Sequence, residues 1–241
     1  MVSPIYPHGK TKFIFFDLDD TLWDHLRNQE AALAIVHEEL RLPLEFREFH
    51  PIYHAENERA WAQYRRGELT SAEVRVQRFY RALVRAGVQS LALAQACDSL
   101  YRQLYPRQPH LHAGAREVLA ALQPHCPLGL ITNGFREAQA TKLRVTGLER
   151  YFALVVCSED IGKTKPHPEI FAHALALAGT SPPETLFVGD DLNVDILPAQ
   201  ASGWQTVLYC PVLKTTAANP DSPLNVRTIR RLADLLPLLL G

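Results

Sequence analysis

A four-residue apolar run, Phe13-Ile14-Phe15-Phe16, breaks at once into Asp17-Leu18-Asp19-Asp20-Thr21. A run this short and uniformly apolar suits a strand covered on both faces, as in a parallel sheet, and such a strand delivers the residues after it to one end of the sheet. Three acids within four positions then crowd a small space. Their repulsion is offset if a divalent cation sits among them, and Mg²⁺ takes oxygen ligands, commonly one or two carboxylates with water and substrate phosphate. Asp17 and Asp19, two apart, can serve different ends there, one attacking while the other moves protons. A solvated acidic turn after a strand is the plainer alternative for this stretch taken alone.

The rest of the chain supplies a sheet for that strand to join. Leu128 to Ile131, Leu154 to Cys157, Leu186 to Val188 and Thr206 to Tyr209 read as short apolar strands. Helical stretches separate them at Ala115 to Leu122, Arg136 to Val145 and Glu169 to Ala178. Strand and helix in alternation predict an α/β core, a five-stranded Rossmann-like, doubly wound parallel sheet. Between the first strand and this region the chain loses strand character. Ala31, Leu33, Ala34, Val36 and Leu40 keep helical spacing, as do Leu83, Val84, Leu91, Leu93, Ala96, Leu100 and Leu104. Thr70-Ser71-Ala72-Glu73 has capping-box spacing just after Gly67. Residues 23–105 are therefore expected to form a helical insert of about four helices, and residues 1–22 with 106–241 the core. Leu232 to Leu240 predicts a closing helix distorted at Pro237.

Bulk properties exclude several classes. A chain of 241 residues with 47% hydrophobic content can build a large core. A formal net charge of -1 gives no general pull toward a nucleic acid polymer or an anionic membrane, so any phosphate preference is local. Cys97, Cys126, Cys157 and Cys210 are scattered, which argues against zinc and disulfides and for reduced thiols. Met1 to Lys12 has no apolar leader core and no run reaches the ~18 residues of a membrane span, so a cytoplasmic protein is expected. P-loop, G-x-G-x-x-G and G-x-S-x-G patterns are absent. His25, His37, His50, His54, His110 and His112 show no ligand spacing and read as surface or turn residues.

Ligands of open parallel sheets sit outside the carboxyl ends of the strands, and the remaining polar signals fall there. Thr132-Asn133-Gly134 follows one strand with a hydroxyl and an amide that can donate to phosphate oxygens, or forms an ordinary turn. Gly162-Lys163-Thr164-Lys165-Pro166-His167-Pro168 places Lys165 before two prolines, as a rigid point charge or a solvated lysine, with Pro168 fit for a first helical turn. Leu186-Phe187-Val188-Gly189-Asp190-Asp191-Leu192-Asn193-Val194-Asp195 breaks another apolar strand into acids. Asp190 is placed to ligate the same cation as Asp17, and Asp195 to accept hydrogen bonds around it. Asp191 is assigned to the start of a helix, where the macrodipole favours an acid.

Asp17-x-Asp19-x-Thr21 after an apolar strand resembles the first signature of the haloacid dehalogenase superfamily in its phosphatase form. The later stretches resemble its other signatures in type, order and context. The resemblance spans nearly the whole chain and implies strand order 5-4-1-2-3 with an α-helical cap inserted after strand 1. It implies Asp17 as nucleophile, Asp19 as general acid/base, and Mg²⁺ held by the Asp17 carboxylate, the Asp19 backbone carbonyl and Asp190. Thr132 then matches the hydroxyl of the second signature, Lys165 the lysine of the third, and Asp190 with Asp195 the acids of the fourth, with Asn133 beside the substrate. Ile131 to Phe135, Lys142 to Leu148 and Trp61 to Thr70 look most like the nucleoside 5′-monophosphatase branch. The expected partner is a small-molecule phosphate ester. Sugar or glycolate phosphatase, phosphomutase, 2-haloacid dehalogenase and a catalytically silent binding module remain as alternatives, Asp19 and Asp190 counting against the last two.

Overall fold

The computed structural model describes residues 11–211 and 226–241. The stretch before residue 11, read above for a leader, lies outside them. Within the described residues no helix is long and apolar enough to cross a membrane. The chain forms two compact units, Leu26–Pro109 and the residues on either side of it.

The flanking unit holds a parallel sheet of β1 (Phe13–Phe16), β2 (Leu128–Thr132), β3 (Phe152–Cys157), β4 (Thr185–Gly189), β5 (Gln205–Tyr209) and β6 (Thr228–Ile229). Its order is β3-β2-β1-β4-β5-β6. The first five strands stand in the order 5-4-1-2-3, and the correction is a sixth, parallel strand at the β5 edge. β1 is central, its four residues all buried, with Phe16 level with Leu130 on one side and Val188 on the other. Gly129 makes room for it: a Cβ there would lie 2.6 Å from the Phe15 ring. The rings of Phe13 and Phe15 stack at 4.6 Å, and Phe15 continues to Trp204 at 5.3 Å.

The other unit consists of α1 (His25–Glu39, less its first residue), α2 (Phe46–Arg65), α3 (Ser71–Arg85) and α4 (Leu91–Leu104). Thr70 and Glu73 form the expected capping box, with Thr70 N–H donating to the Glu73 carboxylate at 2.7 Å. Leu33, Val36, Phe49, Tyr53, Phe79 and Leu83 meet in its core. The buried face of α4 differs from the expected one. Ala94, Cys97, Asp98 and Tyr101 are buried, whereas Leu91 is 55% exposed. Buried Arg78 is the reason: it lies 3.8 Å from Asp98 and 4.8 Å from the Tyr101 ring, so the helix turns a carboxylate inward to meet a charge.

In the sheet-bearing unit α5 (Ala115–Leu122), α6 (Arg136–Thr146), α7 (Pro168–Ala178) and α8 (Leu197–Ala201) alternate with the strands, and α9 (Leu235–Leu239) follows β6. Pro168 opens α7, where a missing N–H costs nothing. The expected closing helix is shorter, a 3₁₀ turn at Leu232–Asp234 followed by α9. Pro237 sits in the first turn of α9, which has no intrahelical acceptor to lose.

Candidate active site

Strand geometry brings the acids and Lys165 together. The Asp17 N–H still donates to Val188 at 2.9 Å, so the side chain of Asp17 emerges where the sheet ends. The chain then turns tightly, with Asp20 N–H donating to Trp23 at 2.8 Å and Asp20 itself at φ 66, a conformation Asp tolerates better than most residues. At the end of β4, Gly189 is required by packing: a Cβ would lie 2.5 Å from Asp195 Oδ2.

Lys165, 2% exposed, joins two carboxylates, with Nζ 2.5 Å from Asp17 Oδ1 and 2.7 Å from Asp195 Oδ1. Asp190 accepts a hydrogen bond from Thr21 at 3.2 Å. Ligand atoms of Asp17, Asp190 and Asp195 all fall within 4.8 Å of one another. Burial pushes the Asp17 carboxyl up to about 7, Lys165 opposing and Asp195 and Asp19 adding to the rise. Burial, then Asp195 and Asp17, push Asp190 well above the carboxylate range. For Lys165 burial acts downward, but the two facing carboxylates outweigh it and keep the ammonium charged. One lysine thus pairs with two of three clustered acids, and this donor set fits a hard divalent cation.

Asp19 has a separate set of partners. Lys142 Nζ lies 2.5 Å from its Oδ1 and Gln139 Nε2 donates to its Oδ2 at 2.9 Å. Burial raises the Asp19 carboxyl, but Lys142, His25 and these hydrogen bonds overcome it and hold the group below its usual range. Lys142 in turn stands 4.1 Å over the Trp23 ring. Thr132, itself buried, has its Oγ1 accepting from Gln139 at 2.6 Å and from Gly134 N–H at 3.1 Å, so its own hydroxyl hydrogen is not used in either bond. The Asn133 amide is engaged with the lysine loop, donating to Lys165 O at 2.9 Å and accepting from Lys165 N–H at 2.7 Å. It holds the backbone of Lys165 in place.

Gln139 and Lys142 are not among the expected site residues, although Lys142 opens one of the stretches that resemble the nucleotidase branch. The signal was present: Gln139, Lys142 and Thr146 recur at helical spacing and are all buried, so this helix turns polar residues inward. Asp191 caps the π-helical turn Leu192–Ile196, accepting from Asn193 N–H at 2.8 Å, in keeping with its expected place at a helix start. The structure also brings His112 within 4.8 Å of Asp20 and Asp24, a grouping invisible in sequence spacing.

A family model described as haloacid dehalogenase-like hydrolase matches residues 11–203. The pyrimidine 5'-nucleotidase YjjG of Escherichia coli (strain K12) is 32% identical over 198 residues, 82% of this chain and 85% of that one. The HAD-hydrolase YfnB of Bacillus subtilis (strain 168) is 30% identical over 229 residues, 94% of each chain. Its orthorhombic, magnesium-bound crystal structure is similar with a TM-score of 0.86 at 28% identity, over 95% of this chain and 99% of that one. The 2-haloacid dehalogenase from Pseudomonas syringae pv. Tomato DC3000 is similar with a TM-score of 0.65 at 28% identity, over 95% of this chain and 97% of that one.

Proposed function

This chain belongs to the haloacid dehalogenase-like hydrolases, and from that premise we propose that it is a magnesium-dependent phosphomonoester hydrolase working through an aspartyl-phosphate. The observation that carries the reading is the gathering of Asp17, Asp190 and Asp195 around Lys165, with Asp19 held separately by Lys142. A dehalogenase has no use for a cation site or for a second acid at the Asp19 position.

Lys165 takes Asp17 Oδ1, so the other carboxylate oxygen attacks phosphorus. The new Asp17 oxygen–phosphorus bond forms as the ester P–O bond breaks, and Asp19, carrying against the pull of Lys142 and Gln139 the proton gained from water in the preceding turnover, gives it to the departing oxygen. Water then attacks phosphorus and passes a proton to Asp19, ionised as its contacts with Lys142 and Gln139 favour, which releases phosphate and restores Asp17. Lys165, the Thr132 hydroxyl and nearby backbone N–H groups neutralise the phosphoryl oxygens. The carboxylates of Asp17 and Asp190 and the Asp19 carbonyl would hold Mg²⁺, which when bound would supply charge compensation between two anions that otherwise repel. Choice of leaving group is assigned to the helical unit Leu26–Pro109, and four cysteines held as thiols rather than disulfides fit a reducing cytoplasm.

Metal binding is expected to depend on pH in a defined direction. Asp17 is raised from 3.8 to about 7 when folded and metal-free, so between those values the folded chain holds more protons than the unfolded one. Stability contributed by this group therefore falls as pH rises through that window, and Mg²⁺ must displace the protons to bind. Adding Mg²⁺ should raise the Tm more at about pH 8 than at about pH 5. EDTA should silence turnover and Mg²⁺ restore it. Equal Tm increments at both pH values, or activity surviving chelation, would remove the carboxylates as metal ligands.

The substrate class proposed is nucleoside 5′-monophosphates, supported by the similarity to a pyrimidine 5'-nucleotidase over most of both chains. A panel of phosphate esters compared by kcat/KM tests it. If phosphoglycolate or a hexose phosphate exceeds every nucleoside monophosphate by about tenfold, equivalent to about 1.4 kcal/mol at the transition state, the nucleotidase reading fails and the phosphatase reading stands.

A further inference from the structure

Gln139 is an expensive residue to bury. It is 1% exposed, and its carbonyl Oε1 meets no hydrogen-bond donor among the described residues. Leucine at this position would leave no such orphaned acceptor. Its amide nitrogen, by contrast, is fully used: one contact to Asp19 Oδ2 at 2.9 Å and one to Thr132 Oγ1 at 2.6 Å. The assignment of that nitrogen is fixed by chemistry, because the opposite amide orientation would set a carbonyl oxygen against a carboxylate oxygen. The loop after Thr132 lies close to this amide, since a Cβ on Gly134 would run into it. Lys142, one helical turn further along α6 and 3% exposed, takes the other oxygen of the same carboxylate at 2.5 Å. Both oxygens of Asp19 are thus held from one helix, and one of the two holders also grips the hydroxyl of Thr132.

We propose that Gln139 and Lys142 are positioning residues that fix the Asp19 carboxylate for proton transfer, with Gln139 setting its distance from the Thr132 hydroxyl. This rests on the phosphatase reading above, in which Asp19 protonates the leaving oxygen and Thr132 holds the phosphoryl group. A lysine alone would compensate the charge of Asp19 but would leave its carboxylate free to swing about a single contact. Two donors from adjacent turns of one helix, on opposite oxygens, fix the plane of the carboxylate. Proton transfer needs that orientation, because donor and acceptor must meet within hydrogen-bond reach. The Gln139 bridge ties the proton-carrying group to the group that holds the phosphoryl oxygen, so the two move together.

The test compares kcat/KM for an alkyl phosphate, whose leaving oxygen needs a proton, with that for an aryl phosphate, whose leaving oxygen does not. Gln139→Leu should lower the alkyl value by at least about tenfold and the aryl value by less than about threefold. Lys142→Met should act in the same direction. Because Lys142→Met removes a buried charge and is open to folding loss, checked by circular dichroism, the neutral-for-neutral Gln139→Leu carries the test by itself. In an Asp19→Asn background Gln139→Leu should leave the alkyl-to-aryl ratio within about twofold, since the effect passes through Asp19. Equal losses on the two esters, or a ratio that still shifts in the Asp19→Asn background, would overturn the positioning role while the phosphatase reading stands. A wild type inert on both esters overturns the phosphatase reading and this role with it.

Discussion

Asp17→Asn is expected to reduce phosphate-ester turnover to below about a thousandth of wild type while leaving the protein folded. Asparagine keeps the shape of the side chain and an oxygen that can still accept from Lys165, but its neutral amide is no nucleophile toward phosphorus. Folding should survive because the charge of Asp17 is a burden on the folded state: burial and the neighbouring acids push its carboxyl up to about 7. Lys165 retains Asp195 at 2.7 Å as its counter-charge. The metal-free variant should therefore unfold at a temperature no lower than wild type at about pH 8, where the wild-type carboxyl must be ionised. Two measurements check this, kcat/KM on a generic aryl phosphate and a thermal melt. Mass spectrometry of acid-quenched wild type in turnover should show a phosphoryl group on the peptide that carries Asp17, and the variant should show none. Residual activity above about a tenth of wild type would rule out covalent catalysis by Asp17.

Why the core strands could be read from sequence is plain from β1 and β4: a strand buried on both faces carries an uninterrupted apolar run, Phe13 to Phe16 in one and Leu186 to Val188 in the other, and glycine or an acid marks its end. β6 offers no such mark. Thr228–Ile229 has two residues between Arg227 and Arg230, and its strand character comes from backbone bonds to β5, Leu208 N–H to Arg227 at 2.8 Å and Cys210 N–H to Ile229 at 2.9 Å. The closing leucines and α4 show a related limit, since helical spacing found the helices while the buried face of α4 was set by Arg78, a partner distant in sequence. The same division holds in the site. Acids at strand ends announce themselves because nothing in a buried sheet explains them. Polar residues within a helix are usually solvated, so the helical spacing of Gln139, Lys142 and Thr146 took on meaning only when the fold placed the first two beside Asp19. Local pattern alone does not choose between Lys163 and Lys165 either. Lys163 is exposed and Lys165 is buried between two carboxylates, a difference created by where the loop after β3 ends rather than by its composition.

That difference yields the second large effect expected. Lys165→Met should cost about 3–5 kcal/mol of stability at about pH 8, the range found when one partner of a buried ion pair is removed and the other is left behind. In a chain of this size that is a fall in Tm on the order of 10 °C. The lysine itself remains charged far above neutral pH, its ammonium being favoured by Asp17 and Asp195 over the opposing burial, so the wild type keeps this contribution throughout the neutral range. In the variant the burden passes to the carboxylates, and it can be relieved by protonation. The folded value of Asp17, already raised in the wild type, then stands further above the unfolded one, so the variant regains stability as pH falls through that window, and the gap to wild type should narrow toward about pH 5. Catalysis should not recover with it. The phosphoryl oxygens lose a fixed positive charge in a water-poor site, and kcat/KM should drop by about a thousandfold at any pH. Lys163→Met, two residues earlier and exposed, should change neither quantity. Melts of both variants at the two pH values, with activity beside them, separate the contributions of charge burial and of catalysis. A Lys165→Met protein as stable as wild type at about pH 8 would mean that the Asp17–Lys165–Asp195 arrangement does not hold in solution, and the assignment of Lys165 to the phosphoryl oxygens would fall with it.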